Sequence, residues 1–109
     1  MKSLYGQYIK EQNNKEIIED ERGFATYFFT PDGCLVEDIF VVKEYRSKGI
    51  AKEMLDKISI IAKENGCKKL IGTVVPTCIG STHSLQAALA YGFKLDSCRQ
   101  NLICYTKEL

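Results

Sequence analysis

The sequence predicts an α/β protein, one mixed and mostly antiparallel sheet with helices on both faces, built as a single domain over residues 1–109. Three patterns carry that reading. A turn signal sits between two apolar runs near residue 32, which implies a hairpin. An apolar strand pattern then runs into the most regular amphipathic pattern in the chain. A second apolar strand follows that helix. Strand, helix, strand at these lengths is a βαβ unit and implies a parallel pair.

The elements follow in order. Residues 3–12 are ambiguous, with Leu4, Tyr8 and Ile9 able to line one side of a short helix that Asn13-Asn14 would end. Residues 16–19 (EIIE) read as a short strand before the turn Asp20–Gly23. FATYFFT, 24–30, is aromatic and β-branched and reads as a strand whose Phe24, Tyr27, Phe28 and Phe29 are core. Pro31-Asp32-Gly33 is the turn, because Pro presets φ and Gly supplies a positive one. CLVEDIFVV, 34–42, is the second arm. Both of its alternate faces are mostly apolar, so it is expected to be covered on both sides. Each face also carries a carboxylate, Glu37 or Asp38, and a buried carboxylate is costly unless paired or used.

Residues 49–64 form the best helix, with Ile50, Ala51, Met54, Leu55, Ile58, Ile61 and Ala62 at the i, i+3, i+4 spacing. Asn65-Gly66 stops it. KKLIGTVVP, 68–76, is the next strand. Thr77–Thr82 is a loop, and 82–91 a second helix with Leu85, Ala88 and Leu89 on its buried side and Ser81 or Thr82 as cap. Residues 93–98 and 101–107 make a final hairpin.

Composition removes several function classes. The net charge of +1 gives no global field for nucleic acid or membrane. Five cysteines, without C-x-x-C and without a His at ligand spacing, fit neither a zinc site nor a disulfide framework. They read as free thiols, small hydrophobes in a reducing cytosol, and Cys78 has nothing near it to make it a nucleophile. The first residues turn polar quickly, and no long apolar run exists. A cytoplasmic protein without a metal is the expectation.

The chemistry concentrates in VKEYRSKGIAKEML, Val42 to Leu55. A helix N-terminus presents four unpaired N–H groups and a partial positive charge. A phosphate satisfies both. Arg46 and Lys48 add charge there, Gly49 allows close approach, and Ala51 keeps the first turn small. Successive amides suit a pyrophosphate. Arg46-Ser47-Lys48-Gly49-Ile50-Ala51 fits R/Q-x-x-G-x-G/A between a strand and a helix. It is neither a Walker loop nor G-x-G-x-x-G, which disfavours ATP, GTP and NAD(P).

EDIFVVKEYRSKGIAKEML resembles the coenzyme A-binding motif of the GNAT-type N-acetyltransferases. STHSLQAALAYGF resembles the family's later motif, with Ser84 at its S/A position and Gly92-Phe93 as its Gly-Phe. The resemblance spans about residues 16–107 and marks a small, N-terminally shortened member. It implies a GNAT-like fold whose central parallel strands splay apart. The pantetheine arm of acetyl-CoA would lie in that splay, against Val41 and Val42. The pyrophosphate would lie on Arg46, Ser47, Lys48, Gly49, Ile50 and Ala51, with Ser84 as a further contact. This sequence departs from the family at Ser81, often Asn, and at Ala88, often a Tyr acting as general acid. Tyr91 does not inherit that role.

The resemblance further implies direct acyl transfer to an amine in a ternary complex. The oxyanion would be held by an N–H near Val41 or Val42. Glu37 would be the base, or else a salt-bridge partner. Asp38 reads as structural, Lys52 and His83 as surface residues, and Ser84 equally as packing. The acceptor is open: a small amine, a peptide end or a protein lysine. A second copy of the chain could cover an edge strand. The rival readings are a CoA-binding or protein-interaction module without catalysis, and a nucleic-acid surface using Arg46, Lys48, Lys52, Lys68 and Lys69.

Overall fold

The computed structural model describes residues 3–74, 81–99 and 102–109, and for 81–85 and 99 the backbone alone. The expected loop Thr77–Thr82 therefore lies largely outside the described residues, as do Cys78 and the turn Gln100-Asn101.

The ambiguous N-terminal segment is a helix, α1, Leu4–Asn13. Ser3 caps it by accepting the Gly6 N–H at 2.9 Å. Asn14 ends it in the left-handed region, φ 56°, and the Lys15 N–H returns to the Ile9 carbonyl at 3.3 Å. The helix lies close on the strand that follows. A Cβ on Gly6 would stand 2.9 Å from Ile17 Cγ2, so glycine sets that approach.

Strands β1 (Glu16–Asp20), β2 (Gly23–Thr30) and β3 (Gly33–Val41) form an antiparallel meander. The turn between the last two is closed by Thr30, whose Oγ1 accepts from the Asp32 and Gly33 N–H groups. A single 3-10 turn, Lys43–Tyr45, leads to α2, Ile50–Glu64. Next come β4 (Lys69–Val74), α3 (Ser81–Tyr91), β5 (Lys94–Arg99) and β6 (Leu102–Glu108). The sheet order is β1-β2-β3-β4-β6-β5, and β3 with β4 is its parallel pair. This is the mixed sheet the sequence implies.

Both faces carry helices, unequally. α1 lies over Ile17 and Phe24, with the Tyr5 and Phe24 rings 5.7 Å apart. Side chains alternate, so Ile18, Ala25 and Tyr27 face the other way. There they join the main core with Met54, Ile58, Leu70 and Phe93. Met54 and Ile58 are fully buried, and each such side chain contributes about 1.5–3 kcal/mol. α3 shares this face with α2, since the Tyr91 hydroxyl donates to Asp56 Oδ1 at 2.6 Å.

Three expectations need correction. Of residues 34–42, Cys34 and Val36 are buried on one face and Leu35 is half-buried on the other, while Glu37, Asp38, Ile39 and Phe40 are exposed. The reason lies in the pairing: β3 loses its β4 neighbour after Val36. Phe29, read as core, is exposed beside the turn. Leu89, read as buried, lies on the outer side of α3, where Ala88 makes the buried contact.

Candidate active site

The site begins with one extra residue. β2 and β3 pair Thr26 with Asp38 and Tyr27 with Val36, which leaves Glu37 as a bulge. A bulge bends its strand and increases the local twist. Thr26 holds it from a fully buried position. Its Oγ1 accepts the Asp38 N–H at 3.1 Å and donates to Asp38 Oδ2 at 3.3 Å. The parallel pairing is confined to Cys34–Leu70, Leu35–Ile71 and Val36–Gly72. Past that last rung β3 continues to Val41 and β4 to Val74 without pairing with each other. The strands part where the bulge begins.

A groove of about 980 Å³ occupies the gap and runs towards α2 and α3. Ile39 and Val41 line it from β3, Thr73 and Val74 from β4, and Ala88 and Tyr91 from α3. Its size falls in the range of small-molecule sites. Ladder alternation decides which amides face it. The Val42 N–H donates to the Arg22 carbonyl at 2.7 Å, so the N–H and C=O of Val41 point away from β2 and into the gap. Val42 does not line the groove, which corrects its expected place there: its N–H is spent in the ladder.

The other end of the groove is the turn into α2. Ser47 and Gly49 both take left-handed backbone, φ 62° and φ 78°. Gly49 is the N-cap residue and supplies no side-chain cap, so the first-turn amides of α2 stay open for a ligand. A Cβ at Gly49 would meet nothing within 4 Å. Glycine is thus required by φ, and the space above it is open. Arg46, Ser47, Gly49, Ile50, Ala51 and Lys52 all border the groove. The Arg46 Nε donates to the Val41 carbonyl at 2.9 Å, and its guanidinium lies 5.9 Å from the Phe40 ring centroid. That posture leaves the terminal guanidinium nitrogens for an anion. The Lys48 ammonium sits 5.7 Å from the centroid of the Tyr45 ring, and Tyr45 borders the groove. Ser84 lies in α3, but its side chain is outside the described residues.

Glu37 borders the groove and also makes an ion pair. Lys15 Nζ stands 2.5 Å from its Oε2. The hydrogen bond that Lys15 donates to Glu37 holds the Lys15 pKa above its ordinary value against a smaller opposing effect of burial, and electrostatic interactions with Glu37, Asp38 and Tyr5 add to it. The alternative the sequence left open for Glu37, a salt bridge, is therefore present in the same residue that faces the groove.

Several groups at the site lie beyond sequence reasoning. Burial and the bond to Asp56 raise the Tyr91 pKa, so it remains a phenol. That bond, with Lys52, holds Asp56 low. Tyr105 packs over Gly72, where a Cβ would stand 2.3 Å from its ring, and its ring meets Phe93 edge-on at 5.1 Å. Arg22 binds both Asp20 and Glu53 at 2.7 Å, tying the start of α2 to the β1–β2 turn. No local pattern announces the Tyr91–Asp56, Tyr105–Gly72 and Arg22–Glu53 contacts, because each joins distant parts of the chain. Cys34 is buried and its thiol is pushed up to about 12, chiefly by burial. Among the described residues the cysteines are free, and no helix is long and apolar enough to cross a membrane.

Comparison with known proteins places this arrangement in a family. The sequence profile of the acetyltransferase (GNAT) family matches residues 8–93. The chain belongs to that family. Its fold is similar to the paia N-acetyltransferase from Thermoplasma acidophilum in complex with coenzyme A, at TM-score 0.76 and 18% identity, covering 97% of this chain and 69% of that one. It is also similar to a GNAT family acetyltransferase from Elizabethkingia anophelis with acetyl-CoA bound, at TM-score 0.72 and 22% identity, covering 100% and 84%. The IAA acetyltransferase from Bacillus cereus ATCC 14579 gives TM-score 0.72 at 20% identity, covering 98% and 85%. At such identities the likeness is one of fold, and chemistry has to be argued from the residues.

Proposed function

We propose that this protein is a cytoplasmic N-acetyltransferase that moves the acetyl group of acetyl-CoA to an amine. The observation that carries the reading is the gap between β3 and β4, which opens at a bulged carboxylate and ends against an uncapped helix N-terminus. Pyrophosphate binds the amides of Ser47 and Gly49 in the turn and of Ile50 and Ala51 in the first turn of α2, with Arg46 as counter-charge. The pantetheine arm lies along Ile39 and Val41 in the gap. Lys48 contributes charge from the rim. The carbonyl oxygen of the thioester takes a hydrogen bond from the Val41 N–H. The acceptor nitrogen attacks the carbonyl carbon, its proton passes to Glu37, and the carbon–sulfur bond breaks to release CoA. The whole of residues 1–109 acts as one acyl-CoA-binding unit.

Calorimetric titration of acetyl-CoA tests the first half of the reading. Wild type is expected to bind. Arg46→Ala is expected to weaken binding about tenfold, as loss of a charge-assisted bond of roughly 1.5–3 kcal/mol implies. Gly49→Glu is expected to abolish it, by adding a like charge where the anion sits and a side chain at φ 78°. Absence of binding by folded wild type would remove the acetyltransferase reading. Release of CoA thiol in the presence of primary amines tests the second half.

Two observations favour a second reading, a domain that holds acetyl-CoA without transferring it. Glu37 is already paired with Lys15, and the position of the family's helix tyrosine is Ala88. Binding without any acyl transfer would select it.

A further inference from the structure

Glu37 has two neighbours of different kinds. It borders the groove, and the ε-amine of Lys15 stands 2.5 Å from its carboxylate. Three lysines in the described residues make salt bridges with side chains near them: Lys10 with Glu16, Lys15 with Glu37 and Lys52 with Asp56. Lys10 and Lys52 are 43% and 71% exposed, whereas Lys15 is 21% exposed. Lys15 is also the one among these held at the bulge.

Its placement is built into the fold. The left-handed Asn14 turns the chain out of α1, and the Lys15 N–H is tied to Ile9. The next residue, Glu16, is fixed in β1 opposite Tyr27, and Tyr27 is opposite Val36. The row continues through Gly72 to Tyr105. Lys15 and Glu37 therefore each stand one residue off the same rung, the last rung before the strands part. Alternation turns the Lys15 side chain to the α1 face, opposite to that of Glu16. Asp38 and Tyr5 act on it electrostatically.

We propose that Lys15 is an internal acyl acceptor, so that the protein acetylates its own Lys15 side chain. The inference rests on the acetyl-CoA reading of the groove. Glu37 takes the proton of the Lys15 ammonium, Nζ attacks the thioester carbonyl carbon, and a carbon–nitrogen bond forms. As the carbon–sulfur bond breaks, the adduct nitrogen gives up its second proton to the departing CoA thiolate, which leaves as the thiol, and Glu37 returns its own proton to solvent. No other reactant is needed. The amide so formed carries no charge and releases the Glu37 carboxylate from its ion pair.

The test is intact-mass and peptide mass spectrometry of the full-length protein incubated with acetyl-CoA, in parallel with an assay on added primary amines. One acetyl group is expected, on Lys15, at a rate that saturates with acetyl-CoA and does not change with protein concentration. Gly49→Glu is expected to lose it, and Glu37→Gln to slow it about a hundredfold. Thermal unfolding of both variants confirms that they fold. Lys15→Arg keeps the charge and removes the mark from that position. The proposal is overturned by Lys15 acetylation no faster than that of exposed Lys52, or unchanged in Gly49→Glu, since either means chemical modification. A rate that rises with protein concentration also overturns it, because one copy is then modifying another. An unmodified Lys15 beside active transfer to added amines overturns this inference and leaves the acetyltransferase reading intact. No transfer to lysine or amine, with no acetyl-CoA binding, sinks that reading instead.

Discussion

Two halves of one strand do opposite work. From Cys34 to Val36, β3 pairs on both sides, and Cys34 and Val36 are buried. From Asp38 to Val41 it pairs with β2 alone, and the residues from Glu37 to Phe40 are exposed. The open half differs by the two carboxylates Glu37 and Asp38, while its Ile39, Phe40 and Val41 are as apolar as Leu35 and Val36. One unpaired residue at Glu37 separates the halves. The comparison teaches that a largely apolar strand can be turned away from its neighbour by adding one residue to it and leaving the adjacent strand regular.

The largest way to disturb this arrangement is in the closed half. Gly72→Val would force a branched side chain into the ring of Tyr105, which Phe93 holds from beyond. Overpacking of this kind costs about 3 kcal/mol, read from a urea unfolding curve. The contrast between halves is sharpened by a pair of truncations. Val36→Ala is expected to cost about 2 kcal/mol, and Phe40→Ala, 45% exposed, below about 1 kcal/mol. Equal losses would show that the open half is packed like the closed one.

Thr26→Val keeps the shape at the hinge and removes the oxygen that holds the Asp38 N–H. About 1 kcal/mol of stability should go. Acetyl-CoA affinity should fall as well, because the bulge sets where the strands part. Lost stability with unchanged affinity would separate the bulge from the site.

The smallest effect is one of pH. Arg22 holds the Asp20 carboxyl down to about 2, and the same Arg22 ties down the open end through Glu53 and through its carbonyl to Val42. A carboxyl lower in the folded than in the unfolded chain stabilises the fold above its unfolded value of about 3.9. That contribution is lost as pH falls towards about 2. The urea midpoint of wild type should therefore drop across this window slightly more than that of Asp20→Asn. Parallel curves would show that the pair contributes nothing, as exposed ion pairs often do.

The elements were largely legible, because their signals are local. The i, i+3, i+4 pattern of Ile50 to Ala62 marks α2, and its helix bounds differ from the expected 49–64 by one residue. Pro31-Asp32-Gly33 marks its hairpin. The turn from Arg46 to Ala51 was legible for the same reason, since a ligand-facing helix N-terminus is a contiguous stretch of chain. Val42 marks the limit of that reading. Whether an N–H turns to the groove depends on neighbours such as Arg22, which spacing does not describe.

By itself the sequence determined the order of strands and helices, the parallel crossover and the anion-seeking turn, because backbone preference and side-chain period act over a few residues. Only the tertiary structure decided that Glu37 is a bulge, that β3 leaves β4 after Val36, and that Lys15 reaches Glu37. Each of these is a matter of register between strands or of contact across 22 or more positions of chain. Register is set by the summed packing of whole faces, and no single stretch of sequence contains that sum.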